Sequence, residues 1–255
     1  MVRLLENRPM SEDGRVIVLV HGAWHDASCW AAVESELATR GQRSLAVDLP
    51  AEDPGLGAAD YADAVVAALG SEVAGPPVLV GHSLGGLTVP VVAQRLGPER
   101  VRALVLVGAL VPRPGLSYTD QLRAEPSMMA PGFGAGQQRH DDGTTYWPRP
   151  AALSGLYRGV TDEVPAAQVE RAVSGMRRQG WTVGREPTPL TAWPAVRTVS
   201  VICAQDRVVD PAWSRRTARE VGAEVIDLPG GHFPMLTRPA ELAEALIRAG
   251  SPAAS

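Results

Sequence analysis

Six short runs of apolar, β-branched residues punctuate the chain: VIVLV (16–20), SLAV (44–47), PVLV (77–80), ALVLV (103–107), VSVIC (199–203) and EVIDL (224–228). They do not alternate polar with apolar, so they read as strands buried on both faces. Between them lie helix-like segments at 28–40, 58–69, 85–96, 212–221 and 239–249. Strand–helix alternation of this kind calls for a mostly parallel central sheet, covered by helices on both faces and joined by right-handed crossovers.

The alternation breaks once, between Arg113 and about Val196, where proline, glycine and arginine are frequent. A structureless loop of that length is disfavoured in a compact domain. The segment 113–196 is therefore expected to be a mostly helical insertion, with VPAAQVERAVSGMRRQ (164–179) as its clearest helix. The core is then 15–112 together with 197–249. Residues 1–14 are expected to be disordered and 250–255 to form a frayed tail. Met10 is an alternative start, because patterned sequence begins only at Arg15.

At 255 residues the chain suits one domain with a full core. A net charge of −4 offers no electrostatic footprint for nucleic acid or an anionic membrane. No apolar run approaches the roughly 18 residues of a membrane span, and the N-terminus lacks a secretory core. Cys29 and Cys203 have neither metal-ligand spacing nor the look of a disulfide framework, which favours a reduced, cytoplasmic setting. The expected form is a monomer or homodimer.

GHSLGG (81–86) follows the third strand run directly. As a phosphate loop it fails, since Leu87 stands where a lysine is required. As G-x-S-x-G between a strand and a helix it fits a nucleophile elbow, a strained turn that holds Ser83 over the carboxyl end of the sheet. A serine hydroxyl needs a base, an orienting acid and an oxyanion hole. Only His140 and His232 follow Ser83. His232, in LPGGHFPML after the last strand, is the expected base. His140 lies in RHDDG beside Asp141 and Asp142, which reads as a solvated loop in preference to a metal site, and His82 reads as structural. AQDRVVDP supplies two acids. Asp206, three residues past its strand, is favoured over Asp210, which precedes Pro211 and reads as a helix N-cap. HGAW (21–24) ends the first strand run, so the N–H groups of Ala23 and Leu84 are the expected oxyanion donors.

VIVLVHGAWHDASCW, AVDLPA, PVLVGHSLGG, AQDRVVDP and GGHFPMLTRPAEL together resemble the α/β-hydrolase superfamily, in particular its methyl esterase and hydroxynitrile lyase branch. The resemblance covers roughly 16–112 and 197–247. It implies the α/β-hydrolase fold, a Ser83–Asp206–His232 triad, Ala23 and Leu84 as oxyanion donors, and no metal or organic cofactor. Lyases of that branch carry a threonine in the oxyanion loop and a lysine after the catalytic histidine. Ala23 and Phe233 occupy those positions here, so hydrolysis of an ester, lactone or thioester is favoured over cyanohydrin cleavage. Non-hydrolytic catalysis on the same scaffold, by a lyase or a cofactor-free oxygenase, is one alternative; ligand binding without turnover is the other.

Of twelve aromatic residues, seven fall within 113–196: Tyr118, Phe133, Tyr146, Trp147, Tyr157, Trp181 and Trp193. The insertion is read as a lid over an apolar or aryl substrate. Trp24, Leu84 and Phe233 are expected to form its floor, and Met128, Met129, Tyr146 and Trp147 its roof. The alternative is that the aromatics form the insertion's own small core. GFGAG (132–136) has no strand before it and reads as a flexible lid segment.

Overall fold

A computed structural model of the protein describes residues 15–70, 73 and 75–251. Each apolar run is a strand: β1 (Val16–Val20), β2 (Arg43–Val47), β3 (Val78–His82) and β4 (Ala103–Val107), then β7 (Thr198–Cys203) and β8 (Glu224–Leu228), with a small hairpin of β5 (Gln138–Arg139) and β6 (Thr145–Tyr146) between. The six long strands pair in the order β2-β1-β3-β4-β7-β8, all parallel. β1, β3, β4 and β7 are buried throughout, which is why apolar residues dominate them. The edge strands β2 and β8 depart from the expected burial on both faces: each pairs on one side only, β2 is mostly half-buried, and Glu224, Val225 and Asp227 of β8 are exposed.

The helices are α1 (Ala31–Thr39), α2 (Ala58–Leu69), α3 (Val89–Leu96), α4 (Tyr118–Ala124), α5 (Arg149–Ala151), α6 (Ala166–Ser174), α7 (Thr182–Arg185), α8 (Pro211–Glu220), α9 (Pro234–Thr237) and α10 (Pro239–Gly250). α1 packs on α10, and α2 packs on α3. The chain leaves β1 towards β2 and then crosses back to β3, so the strand order reverses between β1 and β3. That is where an open parallel sheet forms its crevice. Register aligns the strand ends: Val20 pairs with Gly81, His82 with Val107, Val107 with Val201, and Cys203 with Leu228. The loops that follow these strands therefore emerge together at one edge.

The insertion departs from expectation. Its helices are short and separated by turns and by the β5–β6 hairpin, so it is less helical than its sequence suggested. The helix expected to reach 179 stops at Ser174. Beyond it the backbone is drawn into tertiary pairing: Arg177 N–H donates to Trp24 O at 2.8 Å, Gln179 and Thr145 exchange two bonds of 2.9 Å, and Gly180 N–H donates to Ala51 O at 2.7 Å. Those bonds replace the ones a longer helix would make. At the other end α10 includes Gly250, one residue beyond the expected helix. The expectations for 1–14, for Met10 and for 252–255 lie outside the described residues.

Candidate active site

β3 ends at His82, and the chain turns at once into a 3-10 turn, Ser83–Leu87. Ser83 has φ 51°, a left-handed conformation that a non-glycine residue adopts only where its surroundings impose it. Leu84 is the second residue of that turn, so its N–H is one of the orphan donors of a helix start. The loop after β1 lies against the serine: a Cβ on Gly22 would stand 2.9 Å from both Ser83 Cβ and His82 Nδ1.

His232 follows β8 and is 4% exposed. Its Nδ1 donates to Asp206 Oδ2 at 2.8 Å. The other carboxylate oxygen, Oδ1, accepts from Val208 N–H at 2.8 Å and Val209 N–H at 3.1 Å. Asp206 is thereby held by the turn of its own loop and aims its free oxygen at the ring. His82 Nε2 donates to the main-chain carbonyl of His232 at 2.8 Å, and the two rings stand 4.6 Å apart. Burial drives the His82 pKa well below the usual histidine range, which keeps that ring a neutral single donor. The residue before the serine thus braces the loop of the histidine. Gly108, just past β4, has φ +48°, and a Cβ there would stand 3.0 Å from Asp206 Oδ2 and 3.4 Å from His232 Nδ1. Only glycine lets the chain pass so close to the pair.

Asp210 Oδ1 accepts from Trp213 N–H at 2.8 Å and caps α8, with Pro211 at its first position. His140 stacks on Tyr146 at 4.4 Å, and Asp142 Oδ1 closes a turn by accepting from Thr144.

Trp24 also has a left-handed backbone, φ 62°. Several contacts hold it: its backbone N–H donates to Gln179 Oε1 at 3.4 Å, Nε1 donates to Thr145 Oγ1 at 3.0 Å, its carbonyl accepts from Arg177 N–H, and its ring is edge-on to Trp147 at 5.7 Å and Trp181 at 5.6 Å. Trp181 Nε1 donates to the same Thr145 hydroxyl at 2.7 Å. Phe133 closes the cluster against Trp24 and Trp147. Met128 is buried and Met129 half-buried; both lie on a segment that pairs with the loop of Asp206, through Asp210 N–H to Met128 O and Ala130 N–H to Val208 O. Phe233 lies parallel to Tyr157, 4.3 Å away, and edge-on to His232 at 5.3 Å.

Tyr146, expected in the roof, turns away from Trp24. Successive side chains of a strand point to opposite faces, so Thr145 and Trp147 turn towards Trp24 while Tyr146 turns towards Gln138 and His140. Sequence reasoning did not place His25 or Gly108 beside the site, and named Tyr157 only as one of seven aromatics in the insertion. HGAWH contains a signal for the first, a second histidine two residues past Ala23. Tyr157 has none, because nothing local says that it packs on Phe233. A cavity of about 290 Å³ lies beside this group, walled in part by His25, Cys29, Tyr157, Phe233 and Met235.

The fold agrees with the comparisons. The model of the alpha/beta hydrolase family matches residues 17–245. The chain belongs to the α/β-hydrolase family. It is 30% identical to an Oryza sativa protein named "Probable esterase PIR7A", over 94% of this chain and 98% of that one. It is 27% identical to methyl jasmonate esterase 1 of Vitis vinifera, over 91% and 95%. The solved structure of a pyrethroid hydrolase from Sphingobium faniae superposes with a TM-score of 0.72 at 25% identity, covering 94% of this α/β-hydrolase and 98% of that chain. Among the described residues, no helix of this hydrolase is long and apolar enough to cross a membrane.

Proposed function

We propose that this α/β-hydrolase cleaves carboxylic esters of apolar or aryl small molecules through a covalent acyl-enzyme. The observation that carries the reading is the buried 2.8 Å bond from His232 Nδ1 to Asp206 Oδ2 beside a serine held at positive φ. With Nδ1–H committed to the carboxylate, Nε2 of His232 is the free base. Nε2 takes the proton of Ser83 Oγ as the oxygen attacks the ester carbonyl. The carbonyl electron pair moves onto oxygen, where the N–H groups of Ala23 and Leu84 receive the charge. The tetrahedral species collapses, the C–O bond breaks, and His232 returns the proton to the departing alkoxide. Water then repeats the sequence on the acyl-serine, with Asp206 stabilising the imidazolium in both halves.

Relatives named as esterases, and one whose structure is titled a pyrethroid hydrolase, support ester cleavage as the chemistry. The cluster of Trp24, Phe133, Trp147 and Trp181 supports an apolar or aryl substrate. Ala23 and Phe233, in place of the threonine and lysine of the resembling lyases, favour hydrolysis over cyanohydrin cleavage. Mass spectrometry with a fluorophosphonate probe is expected to find one adduct, on the peptide carrying Ser83, and none in Ser83→Ala. An adduct that survives the substitution, or steady turnover of an aryl ester by Ser83→Ala at the wild-type rate, overturns the reading.

A further inference from the structure

His25 takes part in none of these steps, yet it is bonded at both ring nitrogens. It is 7% exposed. Nδ1 lies 2.7 Å from the carbonyl oxygen of Ala23, and Nε2 lies 2.6 Å from the hydroxyl oxygen of Tyr157. A carbonyl only accepts, so Nδ1 must carry the proton, and Nε2 is left to accept from the phenol O–H. Burial pushes the His25 pKa down to about 4 and the Tyr157 pKa up, so both groups stay neutral near pH 7. The result is a directed chain from Tyr157 O–H to His25 Nε2 and from His25 Nδ1–H to Ala23 O.

Both ends of that chain are anchored. Ala23 O belongs to the peptide plane that precedes the left-handed Trp24, so fixing it restrains ψ of residue 23, one of the two torsions that relate this plane to the neighbouring one carrying the Ala23 N–H. Tyr157 closes the π-turn Ala152–Leu156 of the insertion, and its ring lies 3° from parallel with Phe233, the residue after His232. One insertion side chain therefore touches the loop of the oxyanion donor through His25 and the loop of the base through Phe233.

We propose that His25 and Tyr157 are positioning residues, through which the insertion holds the Ala23 N–H in place for the oxyanion. The proposal rests on the reading of Ala23 as an oxyanion donor. An amide held by such a chain is preorganised, and preorganisation acts on the transition state more than on the bound ester. Tyr157→Phe keeps the stack on Phe233 and removes only the hydroxyl. It should lower kcat for an aryl ester about tenfold with KM nearly unchanged, an indirect effect smaller than the loss of an oxyanion donor itself. Affinity for a trifluoromethyl ketone, whose serine adduct carries the oxyanion, should weaken by the same factor.

His25→Asn places an amide N–H where Nδ1–H stands but loses the acceptor of the Tyr157 hydroxyl, and should lower kcat about as much as Tyr157→Phe; the similarly sized His25→Leu, which loses both bonds, should lower it further. Nitrogen-edited NMR of the wild-type protein, which needs no variant to fold, should show His25 as the Nδ1–H tautomer. Wild-type kcat and inhibitor affinity in both Tyr157→Phe and His25→Leu, with Ser83 still labelled by the fluorophosphonate, overturn this proposal and leave the hydrolase reading standing. So does the Nε2–H tautomer. Absence of labelling at Ser83 in the wild-type protein overturns both.

Discussion

Asp206 and Asp210 stand four residues apart in one loop and have unlike surroundings. Asp206 divides its oxygens between two backbone N–H groups and the His232 ring, whereas Asp210 uses one oxygen to cap α8. Asp206→Asn should lower kcat by up to about 10⁴-fold, because an amide favours the wrong histidine tautomer. Asp210→Asn should cost at most about 1 kcal/mol in urea unfolding and leave kcat alone, since asparagine also caps helices. The reverse pattern would move the catalytic acid to Asp210.

A second expectation at this scale concerns pH. Burial lowers the His25 pKa from 6.5 to about 4, so between those values the unfolded chain binds a proton that the folded chain refuses. The contribution is fully present above pH 6.5 and is lost as pH falls towards 4, on the order of 3 kcal/mol for this one group. Buried His82 acts in the same direction. Urea unfolding at pH 7, 5.5 and 4.5 should show the fall, and His25→Asn should make it shallower; a flat profile in the wild-type protein would contradict the buried neutral imidazole.

At the scale of elements, the β5–β6 hairpin matters beyond its length of two residues per strand. Strand alternation sends Thr145 and Tyr146 to opposite faces, and Thr145 Oγ1 is the acceptor for both Trp24 Nε1 and Trp181 Nε1. Thr145→Val preserves shape and strands two indole N–H groups, at about 1–3 kcal/mol for each that stays buried. Thermal and urea unfolding should record that loss. Tyr146→Phe removes only a half-exposed bond to Gln138 and should change stability by no more than about 0.5 kcal/mol, with ester preference untouched. Equal losses in the two variants would show that the hairpin orients neither residue.

For the whole molecule, the question is whether the insertion selects substrate or only covers the sheet edge. Its aromatics fall into two groups. Phe133, Trp147 and Trp181 close on Trp24 in the loop after β1, while Trp193 bonds Thr198 at the start of β7, at the opposite end of that strand from Asp206. Alanine at any of the first three should shift kcat/KM between bulky aryl esters and small acetate esters, whereas Trp193→Ala should lower the melting temperature alone. A preference that stays fixed in all four variants would make the insertion a structural cover.

The sheet, the strained turn at Ser83, the approach of Asp206 to His232 and the capping of a helix by Asp210 were legible in the linear chain. Strand burial writes itself as unbroken apolar runs, the elbow as glycines flanking a serine, and a cap as aspartate before proline, and each of these signals is local. Helix length in the insertion, the outward turn of Tyr146 and the pairing of His25 with Tyr157 were decided by the tertiary structure alone. Arg177, Gln179 and Gly180 leave the helical pattern because backbone partners 153, 34 and 129 residues earlier offer them bonds. His25 and Tyr157 are 132 residues apart, and no period or motif in either segment encodes the partner that the fold brings within 2.6 Å.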